Sequence, residues 1–198
     1  MLKNFTPFPS SFISIRNKKG FTLVELMVAI LVVAIVSAIA LPSMSNFLVS
    51  MRVDNEISEM QRLLLSARNM AINTGKNTTV CPLSNGLCTK NWHKEVSVFT
   101  NSDNTLATNN TFAAPDELIK IKGAIDDGDK LQYTYKSIIY TPDGRLLTTS
   151  ANFKYCPKDK SDLSRGISIS LSGRSYTSSD TDNDGKDEDR SGSEIACS

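Results

Sequence analysis

Alternating acidic residues near the C-terminus have the spacing of a metal-binding loop. Asp180, Asp182 and Asp184 are followed by Gly185 at the sixth position, as in the first half of a calcium-binding loop. The twelfth position is Ser191 instead of a bidentate glutamate, so another carboxylate would have to complete the site. The nearby candidates are Asp187, Asp189 and Glu194. The spacing predicts Asp180, Asp182 and Asp184 as calcium ligands, and the alternative is an acidic loop that contacts only solvent.

Catalytic chemistry has little support in the sequence. His93 is the single histidine of the 198-residue chain, which excludes a multi-histidine metal site on one chain. No serine or cysteine nucleophile has a recognisable general base, and the carboxylates show no catalytic spacing. With 22 basic and 21 acidic residues, the net charge of +1 gives no general attraction to nucleic acid. We therefore expect a protein that is not an enzyme and has no cofactor other than calcium.

An apolar segment near the N-terminus is long enough to cross a membrane. Residues 21–41 are almost entirely apolar, and no charged residue occurs from Leu26 through Met51. The first 20 residues contain four basic residues and no acid, so the positive-inside rule predicts a cytoplasmic N-terminus and an exported C-terminal part. A cleaved secretory signal peptide is the alternative, but its apolar region is only ~7–15 residues long.

Glu25 interrupts the start of this apolar segment. An acid inside a membrane helix costs roughly 2.5–3.5 kcal/mol on insertion scales, so it usually has a partner and a function. No lysine or arginine follows Glu25 until Arg52. The nearest cation would be a new amino terminus at Phe21, created by cleavage after Gly20.

A leader junction is recognisable at residues 18–26, which read KKGFTLVEL. It resembles the junction of type IV pilins and type II secretion pseudopilins. The resemblance implies that a prepilin peptidase cuts between Gly20 and Phe21 and methylates the Phe21 amine. It also implies that Glu25 pairs with the amino terminus of a neighbouring subunit during assembly. Pro42 matches the helix-kinking proline of the family, which removes one main-chain hydrogen bond from the helix.

The residues that follow predict a helix and then a β-rich region. Apolar residues at helical spacing in residues 43–74 predict that one long helix covers Phe21–Asn73. After Gly75, β-branched and aromatic runs alternate with turn sequences, and residues 101–116 are predicted to be an exposed loop. The fold class is predicted to be α+β, with a long N-terminal helix, half transmembrane and half amphipathic, packed on an antiparallel β-rich globular domain. The predicted strands are Thr78–Cys81, Glu95–Thr100, Lys130–Tyr135, Ser137–Thr141, Asn152–Cys156 and Gly166–Leu171.

The β-rich region resembles the FimT/FimU and GspH pilins, and the resemblance implies the type IV pilin fold. The similar segments are Trp92 with Val96–Asn101, Ile139–Arg145, Phe153–Cys156 and Arg165–Arg174. FimT-type pilins that bind DNA have a C-terminal Gly-Arg-x-Arg motif. This chain retains its first arginine, Arg174, but has Tyr176 in place of the second. Arg174 is therefore a DNA-binding candidate, and the alternative is a solvated strand edge.

Four cysteines lie in the part of the chain that should be exported, where disulfides persist. Four cysteines allow three connectivities. Cys81 and Cys88 flank a short turn, so we predict a Cys81–Cys88 disulfide and a Cys156–Cys197 disulfide. A zinc site with four thiolate ligands is the alternative, although the spacings contain no C-x2-C pair.

The sequence therefore predicts three regions: a leader peptide at 1–20, a transmembrane and assembly half-helix at 21–48, and a periplasmic globular domain at 49–198. The resemblance implies a minor pilin of a type IV pilus that primes assembly in a tip complex. Its partners would be other minor pilins, the major pilin, the prepilin peptidase and the inner-membrane assembly machinery. A DNA-binding tip pilin for natural transformation and a GspH-like minor pseudopilin of a type II secretion system are the alternatives. We expect a single-pass protein of the bacterial inner membrane that enters the pilus after processing.

Overall fold

A computed structural model describes residues 20–102, 109–147 and 149–197. The chain divides into two compact units, Met1–Ser43 and Met44–Ser198. Apart from Gly20, the predicted leader lies outside the described residues, as does the centre of the predicted loop at 101–116.

The helix α1 covers Leu23–Thr74, within two residues of its predicted bounds, and its helical backbone continues through Pro42. Thr22 caps its first turn, because the Thr22 hydroxyl accepts a hydrogen bond of 3.2 Å from the Glu25 amide. At the other end, Gly75 adopts a positive φ of 66° and its amide donates to the Ala71 carbonyl at 3.0 Å. Within the described ranges, no helix combines the length and the hydropathy that a membrane crossing requires.

In the unit Met44–Ser198, one face of α1 is the centre of the hydrophobic core. The apolar row predicted from helical spacing is buried or, for Val49, partly buried: Val49, Val53, Ile57, Met60, Leu64, Ala67 and Ala71. Leu63 is also fully buried, so the buried face is wider than that row. The adjacent Leu65 is 51% exposed. The amphipathic half of the helix is thus confirmed, and burial of its apolar face stabilises the unit.

Two antiparallel sheets complete this unit in the part of the chain that the structure describes. The first has the order β2-β1-β3-β4, with β6 also paired to β1, and the second has the order β5-β7-β8-β9. A short 3-10 helix at Ser161–Leu163 lies between β7 and β8. The strands are β1 Thr78–Ser84, β2 Leu87–Cys88, β3 Val96–Thr100, β4 Glu117–Lys122, β5 Lys130–Gln132, β6 Ile138–Tyr140, β7 Ala151–Cys156, β8 Arg165–Ile169 and β9 Ser175–Thr177. This is the predicted α+β arrangement.

Aromatic side chains fill the core between these elements. The Trp92 ring makes edge contacts with Tyr133 and Phe153 at centroid distances of 5.0 and 4.9 Å. Tyr133 and Phe153 stack on each other at 4.1 Å. The buried Trp92 indole donates a hydrogen bond of 2.9 Å to the Tyr135 carbonyl, which satisfies its only polar atom.

Three strands were not predicted from the sequence: β2, β4 and β9. The strand β4 lies at the edge of its sheet, and its pairing with β3 shifts register between Val98 and Phe99. This irregularity breaks the alternation of buried and exposed residues, so Leu118 and Ile121 are both exposed. Strands β2 and β9 are two and three residues long, too short for a periodic pattern.

A buried lysine on β4 contacts the helix. The Lys122 side chain is 2% exposed, and its ammonium group lies 2.5 Å from the Glu56 carboxylate and 3.8 Å from that of Glu59. The same ammonium donates to the Gly123 carbonyl at 3.3 Å. Lys122 therefore joins the edge strand to α1 by a charge pair that the apolar pattern could not indicate.

Candidate functional site

The predicted processing site lies immediately before α1. Gly20 and Phe21 are exposed, Phe21 to 86%. Apart from its chain neighbours, a Cβ atom added to Gly20 would meet no atom of the described residues within 4 Å. The packing of the chain itself therefore does not require glycine at this position, and any requirement would come from a protein that binds the segment. Cleavage here and methylation of Phe21 stay predictions.

Glu25 is exposed in the first turn of α1, where the helix macrodipole favours a negative charge. Thr22 and Glu25 have the spacing of a capping box, but only the hydrogen bond from the Glu25 amide to the Thr22 hydroxyl is formed. Among the described residues, the Glu25 carboxylate has no ion pair and no hydrogen-bond partner. It is therefore available to a group from another molecule.

The unit that contains Glu25 presents an apolar surface. Twelve large apolar side chains between Phe21 and Val36 are exposed, with exposed fractions from 54% to 86%. A contiguous apolar surface of this kind marks contact with a membrane or with another protein. The surface surrounds the start of the helix where Glu25 lies, so any molecule that covers it would also desolvate that carboxylate.

Both predicted disulfides are present. Cys81 and Cys88 are joined across the β1–β2 turn with a Cα–Cα distance of 5.5 Å. Cys156 on β7 is joined to Cys197 with a Cα–Cα distance of 6.0 Å and a sequence separation of 41 residues. The second disulfide ties the acidic C-terminal segment to the sheet, which lowers the entropy that ordering this segment costs.

Arg165 provides a second connection between the acidic segment and the domain. Its Nε donates to Asp54 on α1 at 2.6 Å, and its Nη1 forms an ion pair with Asp187. The Asp187 side chain is 2% exposed and also accepts a hydrogen bond of 2.6 Å from the Ser178 hydroxyl. The buried Asp187 charge is thus fully paired.

Asp129 forms a comparable buried link. It accepts hydrogen bonds from the Arg52 guanidinium at 3.3 Å, from the Tyr155 hydroxyl at 2.7 Å and from the Lys158 amide at 2.7 Å. Burial, and then the hydrogen bond to Asp129, raises the pKa of Tyr155 above its ordinary value of 10.0. These contacts are structural, because they join α1 to β7 and to the loop that follows β7.

The structure brings the three predicted calcium ligands together and adds a fourth carboxylate. Ligand atoms of Asp180, Asp182, Asp184 and Glu188 all lie within 4.8 Å of one another. Glu188 was missed in the sequence analysis, although it occupies the ninth position of the loop pattern, which is also a ligand position. The first three residues are exposed and Glu188 is buried.

The carboxylates first considered as completing ligands have other partners. Asp187 pairs with Arg165, and Glu194 pairs with Lys186 at 3.1 Å. Asp189 accepts hydrogen bonds from the Ser191 amide and hydroxyl, which lower the pKa of Asp189 below its usual range. In the described chain, the cluster of Asp180, Asp182, Asp184 and Glu188 excludes all three.

Arg174 lines an open groove between α1 and β9. The groove has a volume of about 430 Å³, and its polar lining includes Arg62, Arg68 and Tyr176. The Arg190 guanidinium lies 4.1 Å from the centre of the Tyr176 ring. Arg190, and after it Arg174, lowers the pKa of the Tyr176 hydroxyl below its ordinary value. Basic side chains thus lie around the half-buried Tyr176 ring on the edge strand β9, an arrangement that the sequence alone did not indicate.

Two family descriptions match the chain. The prokaryotic N-terminal methylation motif matches residues 15–41, and the family described as type II transport protein GspH matches residues 56–173. The second match covers more than half of the chain, and the chain belongs to the GspH family. It is FimT/FimU/GspH-like, as the sequence predicted: a minor pilin or pseudopilin of a type IV pilus or a type II secretion machine. Proteins of this class are structural components and work within such assemblies.

A solved structure of a minor pilin shares the fold. The crystal structure of the type IV minor pilin FimU from Pseudomonas aeruginosa strain PAO1 is similar to this chain, with a TM-score of 0.50 and 23% sequence identity. The aligned region covers 63% of this chain and 86% of the FimU chain. The minor pseudopilin EpsH of the type 2 secretion system of Vibrio cholerae matches with a TM-score of 0.45 and 11% identity, covering 64% and 95%. The FimU match confirms the pilin fold. A search of curated proteins gave no match.

Proposed function

We propose that the chain is a minor pilin that primes assembly of a type IV pilus within a tip complex of minor pilins. The observation that carries the proposal is the exposed, unpaired carboxylate of Glu25 beside an apolar surface. The methylation motif at residues 15–41 supports it, because that motif is the substrate of the processing step. Prepilin peptidase cuts between Gly20 and Phe21 and methylates the new Phe21 amine.

The ion pair gives assembly its register. In the bilayer, the Glu25 carboxylate is costly until an opposite charge approaches it. The Phe21 amine of a neighbouring subunit supplies that charge, and its attraction to Glu25 is strong where the dielectric constant is low. Apolar helix surfaces pack equally well at many offsets, whereas the ion pair forms at only one. Pro42 removes one main-chain hydrogen bond from the same helix, which allows it to bend in the assembled state.

The proposed organisation assigns the leader to residues 1–20, the membrane and assembly half-helix to 21–48, and the periplasmic domain to 49–198. The chain crosses the inner membrane once, with its N-terminus in the cytoplasm. Partners in the tip complex are other minor pilins, with the major pilin below them and the assembly machinery in the membrane. Oxidising conditions in the periplasm suit the two disulfides.

Replacement of Glu25 tests the proposal. Glu25→Gln keeps the size of the side chain and removes its charge, so the variant should be cut to mature size but be absent from sheared pili. Thr22→Ala is the matched control, because it removes the capping hydroxyl of the same helix turn and leaves the carboxylate. We expect Thr22→Ala to enter pili. Wild-type incorporation of Glu25→Gln would refute the role of the ion pair.

The pseudopilin alternative predicts a different loss. Deletion of the gene should abolish surface pili and leave type II secretion intact if the chain is a pilin. Loss of secretion with normal pili would assign it to the secretion machine instead. Both readouts come from one deletion strain and its complemented control.

A DNA-binding tip pilin is the second candidate function, favoured by the basic groove. Arg62 and Arg174 line the groove and have no carboxylate partner among the described residues, so phosphate could take that place. The Tyr176 ring could stack on a base of single-stranded DNA.

A gel-shift titration of the full chain in detergent tests DNA binding. Arg174→Ala should weaken binding of a single-stranded oligonucleotide and reduce the salt slope by about 0.7 for each DNA phosphate that the variant no longer neutralises. Lys130→Ala is the matched control, since it removes one exposed positive charge from β5, at the opposite edge of the same sheet. Equal effects of both variants, or no salt-sensitive shift, would exclude a specific DNA site in the groove.

A further inference from the structure

Four carboxylates converge in the hairpin loop between Ser179 and Glu188. Ligand atoms of Asp180, Asp182, Asp184 and Glu188 lie within 4.8 Å of one another. The backbones of Ser179 and Glu188 close the loop with two hydrogen bonds of 3.1 and 3.3 Å. Main-chain amides of the loop donate hydrogen bonds to all three aspartates, among them Asn183 to Asp180 at 2.7 Å and Lys186 to Asp184 at 2.8 Å. A shared cation would relieve the remaining mutual repulsion among the four negative charges.

The Glu188 side chain provides an independent indication of a ligand. Glu188 is only 5% exposed, and its Oε1 atom is buried without any hydrogen-bond partner. Its other oxygen, Oε2, accepts hydrogen bonds from the Thr181 amide at 2.7 Å and the Thr181 hydroxyl at 2.6 Å. These two bonds hold the carboxylate in place and leave one oxygen desolvated and unsatisfied. A buried charged oxygen in this state requires a partner that the described part of the chain does not supply.

No side-chain cation recorded near the loop serves Glu188. Lys186 lies 3.1 Å from Glu194 and 3.9 Å from Asp184, and it forms no ion pair with Glu188. Arg165 is occupied by Asp54 and Asp187. Within the described residues, the unpaired Glu188 oxygen is therefore left to an external cation.

We propose that this loop binds a calcium ion through Asp180, Asp182, Asp184 and Glu188. These residues are positions one, three, five and nine of the loop pattern, and position seven, Lys186, offers a main-chain carbonyl. Oxygen-only ligands and a high negative charge select a hard divalent cation over softer metals.

Coordination chemistry favours calcium over magnesium at this loop. Calcium accepts about six to eight oxygen ligands at roughly 2.3–2.6 Å in flexible geometry, which suits four carboxylates whose ligand atoms all lie within 4.8 Å of one another. Magnesium demands near-ideal octahedral geometry at about 2.0–2.1 Å and retains several waters, so a site made only of protein oxygens suits it less well.

The loop is anchored on both sides, so calcium would bind a frame that is already ordered. Asp187, between two ligand positions, is buried and paired with Arg165. The Cys156–Cys197 disulfide fixes the end of the segment. Pre-organisation strengthens binding, but the bidentate ligand at position twelve is missing because that residue is Ser191. We expect a dissociation constant on the order of 10⁻⁴–10⁻³ M, the range of extracellular calcium modules.

Isothermal titration calorimetry of the full chain in detergent with calcium chloride tests the site. The wild-type chain should give saturable heat with about one calcium per chain, and magnesium chloride should bind roughly tenfold more weakly or worse. Glu188→Gln should weaken calcium binding by about tenfold or more, because it removes a charged ligand. Asp182→Asn is the second variant: Asp182 is exposed, so the chain should still fold, and its calcium affinity should also fall.

Asp189→Asn is the matched control. It removes one negative charge directly beside Glu188, but Asp189 lies outside the cluster, and the asparagine oxygen can still accept the bonds from Ser191. The control should retain wild-type affinity. Three results would overturn the proposal. The first is no saturable heat up to about 10 mM calcium, a concentration well above the expected dissociation constant. The second is an equal loss of calcium affinity in Asp189→Asn and Asp182→Asn, which would indicate diffuse binding to acidic side chains, and the third is an equal affinity for calcium and magnesium.

Discussion

Removing one partner of the Lys122–Glu56 pair should strongly destabilise the globular unit. Lys122 is buried on β4, whereas Lys120, two residues earlier on the same strand, is exposed. Replacement of each lysine by methionine therefore makes the same chemical change in two environments. Lys122→Met leaves Glu56 without its partner at 2.5 Å, and Lys120→Met breaks no ion pair recorded for the described chain.

Lys122→Met should lower the free energy of unfolding far more than Lys120→Met. Breaking a buried ion pair by removing one partner costs about 3–5 kcal/mol of unfolding free energy. The Glu56 side chain is 20% exposed, so water can solvate part of the orphaned charge, and we expect a value of about 3 kcal/mol for Lys122→Met. Lys120→Met should change the unfolding free energy by less than about 0.5 kcal/mol. Combining Lys122→Met with Glu56→Leu should restore most of the loss, because the other carboxylate near Lys122, that of Glu59, is 44% exposed and is solvated by water.

Urea denaturation of the full chain in detergent measures these differences. Trp92 is the single tryptophan of the chain and is 1% exposed, so its fluorescence reports unfolding of the core. The double-mutant cycle should give a coupling energy of about 1–3 kcal/mol between Lys122 and Glu56. Equal losses in Lys122→Met and Lys120→Met, or no coupling, would refute the buried ion pair.

Two further measurements examine the core. Leu64→Ala should lower the free energy of unfolding by about 2–5 kcal/mol, because Leu64 is fully buried. Leu65→Ala is the control: Leu65 is half-exposed, so the variant should lower the free energy of unfolding by less than about 0.5 kcal/mol. Equal losses in urea titrations would contradict the assignment of Leu64 to the buried face of the helix. Burial raises the pKa of Tyr155 in the folded chain above its ordinary value of 10.0, so the Tyr155 hydroxyl loses its proton at a lower pH in the unfolded chain than in the folded chain. The free energy of unfolding should therefore fall as the pH rises above about 10. Tyr155→Phe should flatten that fall in melting experiments between pH 9 and 11, and an unchanged profile would exclude this contribution.

The sequence predicted the elements whose side-chain pattern follows from burial alone. The helix bounds, its apolar row and the Cys81–Cys88 disulfide agree with the structure, because an amphipathic helix and a short cysteine turn leave local signals. The Cys156–Cys197 disulfide, with a sequence separation of 41 residues, has no local signal and was predicted as the remaining pair of cysteines. Leu63 was not among the helix residues predicted to be buried, because the buried face is wider than a single row of apolar residues.

The residues that the sequence did not reveal depend on contacts between distant segments. Lys122 looks like a surface residue until β4 is placed beside the helix, where Glu56 neutralises it across 66 positions of sequence. The role of Arg165 as a link between Asp54 and Asp187 has the same origin. Glu188 was missed for a different reason: its loop position was readable, but its burial and its unpaired oxygen appear only in the folded chain.

The proposed function depends on processing between Gly20 and Phe21 and on assembly of the processed chain into a pilus. Mass spectrometry of the N-terminal peptide, from this protein recovered in sheared and purified pili, examines both steps in one experiment. We expect a peptide that begins at Phe21 and carries one N-terminal methyl group. Recovery of a chain from pili that begins at another residue or lacks the methyl group, or absence of the chain from pili when its mature form is present in the membrane, would contradict it.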